Sequence, residues 1–467
     1  MSLPGAALAE FLRRHVADAP GVDLCIAFSG GVDSTALLLA AVGLRDAGAR
    51  PPVVAGVARA PDDAPPVSSA PVRLRAVHVH HGLHSRADDW RTHCADLCAA
   101  LRVPLTVLNV DVTAIREHGV EAAARTARYD ALQDGLREGE WLLAAHQADD
   151  QLETVLIQLL RGAGIAGLAA MPAVARFGPG WLGRPLLGLR RSDLAVFVAE
   201  SGVRVIADPM NDDLRFDRGW LRARVLPSLL ERWPAAAATV GRSAAHCATA
   251  QALLGSVAAE DASDALNGSR LRLGSLGGLD AARRANVLRW WIVREGLDAP
   301  STSRLDEIVR QMWGAAPEAL PVVSWRGGEL RRYRGVLHAL REPPAALAGE
   351  RLLRPGETLA LGPGLGTLSL PPVAGAGLRA ACCERGLRVA ARRGGEEIRL
   401  HREGPRRPLR LLLQEAGIVP WRRASLPLLW SGGDLVAVAD RWISADHAAA
   451  AGEQGYVPAW DGVPPLT

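Results

Sequence analysis

The run Ser29-Gly30-Gly31-Val32-Asp33-Ser34 lies between two apolar stretches, 22–28 and 35–42. Adjacent glycines let backbone N–H groups approach a ligand closely. Serine hydroxyls add donors, and the start of a following helix adds positive potential. That combination suits a phosphate group, whereas a glycine pair by itself is often only a tight turn between a strand and a helix. The loop lacks the lysine of G-x-x-x-x-G-K-[ST] and the spacing of G-x-G-x-x-G, so it is neither a Walker A loop nor a dinucleotide fingerprint. A second cluster is Asp149, Asp150 and Glu153, just after His146 and Gln147. On a helix these carboxylates share one edge, where they suit either Mg²⁺ held together with phosphate and water or an ammonium group. Helix capping explains Asp149 cheaply, but not the full cluster. Glu121, Arg125 and Arg128, at i, i+4 and i+7, share a helix face. They form either a solvated salt-bridge face or a cationic face aimed at polyphosphate or RNA phosphate. His78, His80 and His81 suggest a metal site at first sight, but on a strand end and its turn they point different ways. A wall of a nucleobase and ribose pocket fits them better.

These groups need a frame. Strand patterns at 23–28, 73–78, 105–110, 141–145 and 203–206 alternate with helical patterns at 35–47, 88–101, 120–138 and 149–161. The alternation predicts an α/β fold with a doubly wound parallel sheet. The phosphate loop then sits at the carboxyl end of the first strand, where such sheets bind ligands. Residues 58–71, rich in Pro, Ala, Ser and Asp, read as an inserted surface loop. From 214 to 341 long Ala/Leu/Arg helical patterns appear, at 222–231, 235–262 and 278–295, with short strand-like pieces at 270–273 and 321–330. This predicts a mainly helical middle domain. A Pro/Gly/Ala-rich stretch with strand-like pieces, 342–377, reads as a linker and entry to a small α+β third domain. The expected division is therefore 1–213, 214–341 and 342–467.

Composition narrows the partners. The 467 residues contain 54 basic side chains and no lysine, so every one is arginine, and the net charge is +4. Phosphate contacts must then come from Arg, hydroxyls or backbone N–H groups. The six cysteines form no C-x-x-C pair. Cys94 and Cys98, one helical turn apart beside His93, would need two more metal ligands that are not evident, and a buried helix face is the expectation. No stretch is long and apolar enough to span a bilayer. The first twenty residues lack the apolar core of a signal peptide, so a cytoplasmic protein is expected.

The S-G-G-x-D-S loop resembles the pyrophosphate loop of N-type ATP pyrophosphatases. With it, H-V-H-H-G-L from His78, E-A-x-A-R-x-x-R-Y from Glu121, H-x-x-D-D-Q-x-E-T from His146 and the run Arg161 to Leu168 resemble, in order and spacing, the bacterial tRNA(Ile)-lysidine synthases. Asp208-Pro209-Met210-Asn211-Asp212-Asp213, Asp217-Arg218 and Leu221-Arg222 are similar to the segment that closes that family's catalytic domain. Arg392-Arg393-Gly394-Gly395-Glu396 and 411–421 resemble its last, tRNA-contacting domain. Departures are Gln147 in place of a second His, Gly219 in place of Asn, and Arg where lysines are common.

The resemblance implies that ATP adenylates the C2 oxygen of the wobble cytidine in the CAU anticodon of an isoleucine tRNA. The amine of free lysine then displaces AMP. Ser29 to Ser34 (Gly30, Gly31, Val32 and Asp33 between them), with His78, His80 and His81, would bind ATP. Asp33 would sit near Mg²⁺ or the α-phosphate. Arg125 or Arg128 would neutralise the adenylate as pyrophosphate leaves. Asp149, Asp150 and Glu153 would hold lysine, or Asp150 and Glu153 would hold Mg²⁺. The tRNA would be bound by Arg218, Arg222, Arg392, Arg393, Arg406, Arg407 and Arg410, the last five within a basic run from Arg385 to Arg410. The resemblance also allows a homodimer. Three other readings remain. A tRNA 2-thiolase would use cysteine pairs. A small-molecule amide synthetase would not need the basic third domain. A nucleotide-sensing tRNA-binding protein would have lost catalysis through Gln147 and Gly219.

Overall fold

The computed structural model describes residues 2–16, 21–48, 72–80, 82, 86–110, 120–207, 213–342 and 345–462, with backbone alone for 120–125. The inserted loop at 58–71, His81, residues 208–212 and the Arg125 side chain lie outside the described structure. The chain forms two compact units, Met1–Leu253 and Leu254–Thr467.

The first unit runs α1 (Leu3–His15), β1 (Val22–Ala27), α2 (Val32–Gly48), β2 (Val72–His80), α3 (Ala87–Ala100), β3 (Leu105–Asn109), α4 (Val120–Asp134), β4 (Trp141–Leu143), α5 (Ala148–Leu160) and α6 (Ile165–Leu168). It continues through β5 (Val174–Phe177), β6 (Gly180–Gly183), α7 (Arg191–Glu200), α8 (Asp217–Trp220), a π-helical turn (Leu221–Val225) and α9 (Leu226–Arg232). The sheet order is β3-β2-β1-β4-β6-β5, parallel except for the edge strand β5. Period-two alternation loads both faces. Leu24 and Ile26 of β1 pack with α1, α2, α3 and α7, while Cys25 joins Leu132 of α4 and Leu136 just beyond its end on the other face. Cys94 and Cys98 are the buried face of α3, as expected.

The order of strands reverses between β1 and β4. The segments that follow these two strands therefore meet in the crevice at that switch point. One is the Ser29–Ser34 loop and the other is the start of α5. The fifth parallel strand is β6, not 203–206. Gly180 and Gly183 hide β6 from propensity, and they are needed there. A Cβ on Gly180 would run into the Glu140 carbonyl, and one on Gly183 would lie 2.7 Å from Phe11 and Leu143. Residues 203–206 instead run as irregular chain beside the phosphate loop, where the Ile206 N–H donates to the Gly30 carbonyl at 2.9 Å.

Helix α10 (Ala236–Ala262) leads into the second unit, which contains β7 (Leu266–Asn267), β8 (Arg270–Arg272), α11 (Ala281–Arg294), α12 (Thr302–Gly314), β9 (Val322–Trp325), β10 (Gly328–Tyr333) and β11 (Val336–Leu340). These strands form an antiparallel sheet, β7-β8-β11-β10-β9, whose Leu271, Leu330 and Leu337 pack on Trp291, Ile292 and Ile308. The middle segment is mainly helical, as expected, with α10, α11 and α12 its longest elements, and the strand-like pieces at 270–273 and 321–330 become β8, β9 and β10 of this sheet. Its strands are two to six residues long, too short to leave a clear period.

The stretch read as a linker is folded. It carries β12 (Glu350–Leu353), β13 (Thr358–Gly362), β14 (Gly366–Ser369) and β15 (Pro372–Ala374). Leu353, Leu361 and Leu368 lie in one core with Leu409, Leu413 and Val436 from later in the chain. Burying such leucines stabilises the fold by roughly 1.5–3 kcal/mol each.

Candidate active site

The phosphate loop is held by its own side chains. Ser34 Oγ donates to the Gly31 carbonyl at 3.0 Å, lies 3.1 Å from Ser29 Oγ, and accepts from the Ser29 N–H at 3.3 Å. The first α-helical bond of α2 runs from the Thr35 N–H to the Gly31 carbonyl, which leaves the amides of Val32, Asp33 and Ser34 without helical acceptors. Those amides are the donors an anion would use. Gly30 has φ +81°, a left-handed conformation that disfavours other residues. A Cβ there would also run into Ile206 Cδ1 and lie 3.0 Å from Cys94 Sγ.

Across the crevice, Gln147 caps α5. Its side-chain carbonyl accepts from the Asp149 N–H at 2.6 Å, and its own N–H donates to Asp150 Oδ2 at 3.2 Å. A capping role accounts for glutamine at this departure from the family pattern, because its side-chain oxygen does a cap's work. Asp149 Oδ2 accepts the Arg191 N–H at the start of α7, at 2.9 Å. Glu153, only 1% exposed, takes both arms of Arg222, at 2.8 and 2.9 Å, and Arg222 also lies 3.6 Å from Asp150. Arg222 sits in the π-helical turn, a distortion that re-aims side chains and recurs at functional sites. Arg218 donates to Thr154 Oγ1 at 3.0 Å.

Burial crowds these charges. It pushes Asp33 up to about 6, helped by the neighbouring Asp150 carboxylate and opposed by Arg191 and Arg222. Burial also raises Asp150 and Glu153, in Glu153 despite the Arg222 hydrogen bonds. Asp33 Oδ1 is buried with no hydrogen-bond partner. An orphaned carboxylate oxygen beside a second carboxylate fits a divalent cation. Among the described residues no group of three or more His, Cys, Asp or Glu is arranged to hold a metal alone, so phosphate oxygens would have to complete its shell. Beside the carboxylates a cleft of about 150 Å³ is lined by Asp149, Glu153, Arg191, Arg222, Leu226 and Leu230.

The structure thus brings together three segments far apart along the chain, carrying Asp33, then Asp149, Asp150 and Glu153, and then Arg222. It places Arg222 against Glu153 inside the site, whereas the sequence reading put it on the tRNA. Arg191 is an added member that the sequence reading missed. Its only signal was the pair Arg190-Arg191 before a helical pattern. His78 is buried, with Nδ1 against the Phe28 carbonyl at 2.9 Å, so it braces the strand before the loop rather than lining an open pocket. His80 Nε2 lies 3.4 Å from Asp88 Oδ1. Arg128 is half-buried on α4 with its guanidinium 5.7 Å from the Tyr129 ring centre. A side chain at Gly219 would strike the Asp213 carbonyl, which accounts for glycine at that departure. Cys25, Cys94 and Cys98 are buried thiols, pushed by burial up to about 12, about 12 and about 11, and are not nucleophiles.

The basic run of the second unit is partly paired. Arg392 donates to Glu396 at 3.0 Å, Arg393 to Glu350 at 2.8 Å and Arg407 to Glu415 at 2.5 Å. Arg406 lies 3.7 Å from both Asp434 and Asp446, and Arg410 is exposed. None of the described helices is long and apolar enough to cross a membrane.

Comparison with known proteins identifies the family. A PP-loop domain family matches residues 6–229, a TilS substrate binding domain 271–338, and a TilS substrate C-terminal domain 387–460. The tRNA(Ile)-lysidine synthase of Alkalilimnicola ehrlichii is 40% identical over 92% of this chain and 92% of its own length. That of Coxiella burnetii is 36% identical over 93% and 92%, and that of Xanthomonas campestris 39% over 91% and 92%. With likeness of this level running through both units, the chain belongs to the tRNA(Ile)-lysidine synthase family.

Proposed function

We propose that this protein joins free lysine to C2 of the wobble cytidine of an isoleucine tRNA with a CAU anticodon, with cleavage of ATP to AMP and pyrophosphate. The observation that carries the reading is the convergence, at the switch point, of an anion loop with a buried carboxylate–arginine cluster. The C2 oxygen attacks the α-phosphorus, and the bond to the pyrophosphate oxygen breaks. The lysine amine then attacks C2, the C2–O bond breaks, and AMP leaves with that oxygen. The loop amides and Ser29 and Ser34 hold the pyrophosphate. Asp33 and Asp150 would hold Mg²⁺, which when bound neutralises phosphate charge. Arg191, with Arg125 or Arg128, would neutralise the negative charge that builds at the α-phosphate.

The cleft beside Glu153 suits lysine. Leu226 and Leu230 receive its methylenes, the carboxylates of Asp149 and Glu153 its ammonium group, and an arginine its carboxylate. A cluster carboxylate, raised toward neutrality by burial, accepts the amine proton. The basic run around Arg392, Arg393, Arg406, Arg407 and Arg410 binds tRNA phosphate in a third domain from 342 onward. The protein would act in the cytoplasm, and sedimentation tests the homodimer the resemblance allows.

The test is transfer of labelled lysine to an isoleucine tRNA transcript with a CAU anticodon, beside an initiator methionine tRNA. Label on the isoleucine tRNA alone, dependent on ATP and Mg²⁺, is the expected result. Pyrophosphate release without lysine transfer would leave only the superfamily chemistry standing.

A further inference from the structure

A second groove opens beside the carboxylate cluster. It has a volume of about 410 Å³ and is walled by Leu160 at the end of α5, by Arg161 just after it, and by Leu214, Arg215, Phe216 and Trp220. Ligand clefts of small-molecule size span roughly 300–1,000 Å³. Its apolar lining is unusually open to solvent, with Leu160 77% and Trp220 50% exposed. Contiguous apolar surface of this kind marks a binding face. The groove is tied to the reacting groups. Ile157, in its wall, lies one turn beyond Glu153 on the same face of α5. Arg218 bonds Thr154, and Arg161 bonds Asp217 at 2.9 Å.

We propose that this groove is a stacking subsite for the base adjoining the modified cytidine in the substrate RNA. The inference rests on the function proposed above. A wobble base can reach the carboxylate cluster only by leaving its stack, which strips its neighbour of a stacking partner. An aromatic wall beside the entry replaces that partner. Proteins that bind single strands combine such aromatic faces with cations along the backbone. Both parts are present. Phe216 and Trp220 supply the faces, and the Arg215 guanidinium lies 5.8 Å from the centre of the Phe216 ring. Arg161 and Arg215 are 64% and 83% exposed, each paired with a single aspartate. The Arg161–Asp217 pair, exposed on both sides, is weak and exchanges its aspartate for a phosphate at little cost, whereas Arg215 is held by both oxygens of the half-buried Asp213. A second copy of this chain fits less well, because the core of a protein–protein interface is depleted in charge, and here arginines flank the apolar residues.

The test uses the full chain and an isoleucine tRNA carrying 2-aminopurine in place of the adenine next to the wobble cytidine. Trp220→Ala, Trp220→Phe and Phe216→Ala are compared with wild type. Loss of one aromatic stack should weaken tRNA binding by about five- to 150-fold in the alanine variants. Trp220→Phe should restore most of it. Aminopurine emission, quenched on wild-type protein, should rise on Trp220→Ala, while affinity for ATP stays unchanged and so reports intact folding. Wild-type lysine transfer together with equal tRNA affinity and equal quenching in Trp220→Ala would overturn the subsite alone. Failure of wild-type protein to transfer lysine would overturn the functional reading, and the subsite with it. Conversion of a dimer to a monomer by Trp220→Ala, with tRNA affinity unchanged, would assign the groove to a second copy and also overturn it.

Discussion

Replacing Asp33 with asparagine should make the ligand-free protein more stable at neutral pH while abolishing pyrophosphate release. In the folded chain burial and Asp150 raise this carboxyl to about 6, from an ordinary 3.8. The folded state then binds more protons than the unfolded state between those values, so stability falls as pH rises through the window. Above about pH 6 the full penalty applies. A rise of about two pH units, at about 1.36 kcal/mol each, is a penalty of up to about 3 kcal/mol. An asparagine side chain carries no charge and escapes it. In a unit of this size that is a rise in melting temperature of roughly 6–12 °C. Urea unfolding of wild type and Asp33→Asn, without nucleotide or Mg²⁺, would be compared at pH 7.5 and pH 4.5. The difference between the two curves isolates Asp33, because Asp150 and Glu153 remain in both. An Asp33→Asn protein no more stable than wild type at pH 7.5, or equally advantaged at pH 4.5, would refute the argument that Asp33 is a charge waiting for a cation.

Other expectations follow from the same contacts. Arg222→Ala leaves Glu153 charged and buried. It should cost about 3–5 kcal/mol of stability by urea unfolding, with part regained in the double variant with Glu153→Gln. Gly30→Ala puts a Cβ on a left-handed residue and against Ile206. A loss of about 1–3 kcal/mol, with ATP binding lost by calorimetry, is expected. Arg406→Glu with Arg407→Glu should weaken tRNA binding, and flatten its log–log salt dependence by a slope of about 2. ATP affinity should hold, and unchanged tRNA affinity would remove these arginines from the tRNA contact.

The site also shows how a buried charge cluster is kept in readiness. Glu153 and Asp150 are answered by Arg222, and Asp149 by an N–H at the start of α7. Of the four carboxylates, Asp33 keeps an unanswered buried oxygen. The stable pairs set the geometry, and the unpaired oxygen sits where a ligand's charge is missing.

Local rules made the loop and the helix legible in the chain. The glycine pair between two apolar runs, the apolar strands β1 to β4, and the carboxylates at the start of α5 all depend on residues within one or two turns of each other. The buried face of Cys94 and Cys98 followed from the same reasoning. Tertiary structure decided what those rules do not reach. Glu153 meets Arg222 across 69 residues of sequence, and no local pattern reports a partner so distant. The strand beside β4 proved to be glycine-rich β6, because close approach to Glu140 and Phe11 outweighs β-propensity there. Residues 203–206 had strand-like alternation but were taken up as the cover of Gly30. Short strands in the middle segment and in 342–377 gain their stability from leucines supplied by remote elements. Residue type and spacing thus settled the chemistry on offer. Which charges face one another was settled by long-range packing, since burial alone makes their pairing strong enough to matter.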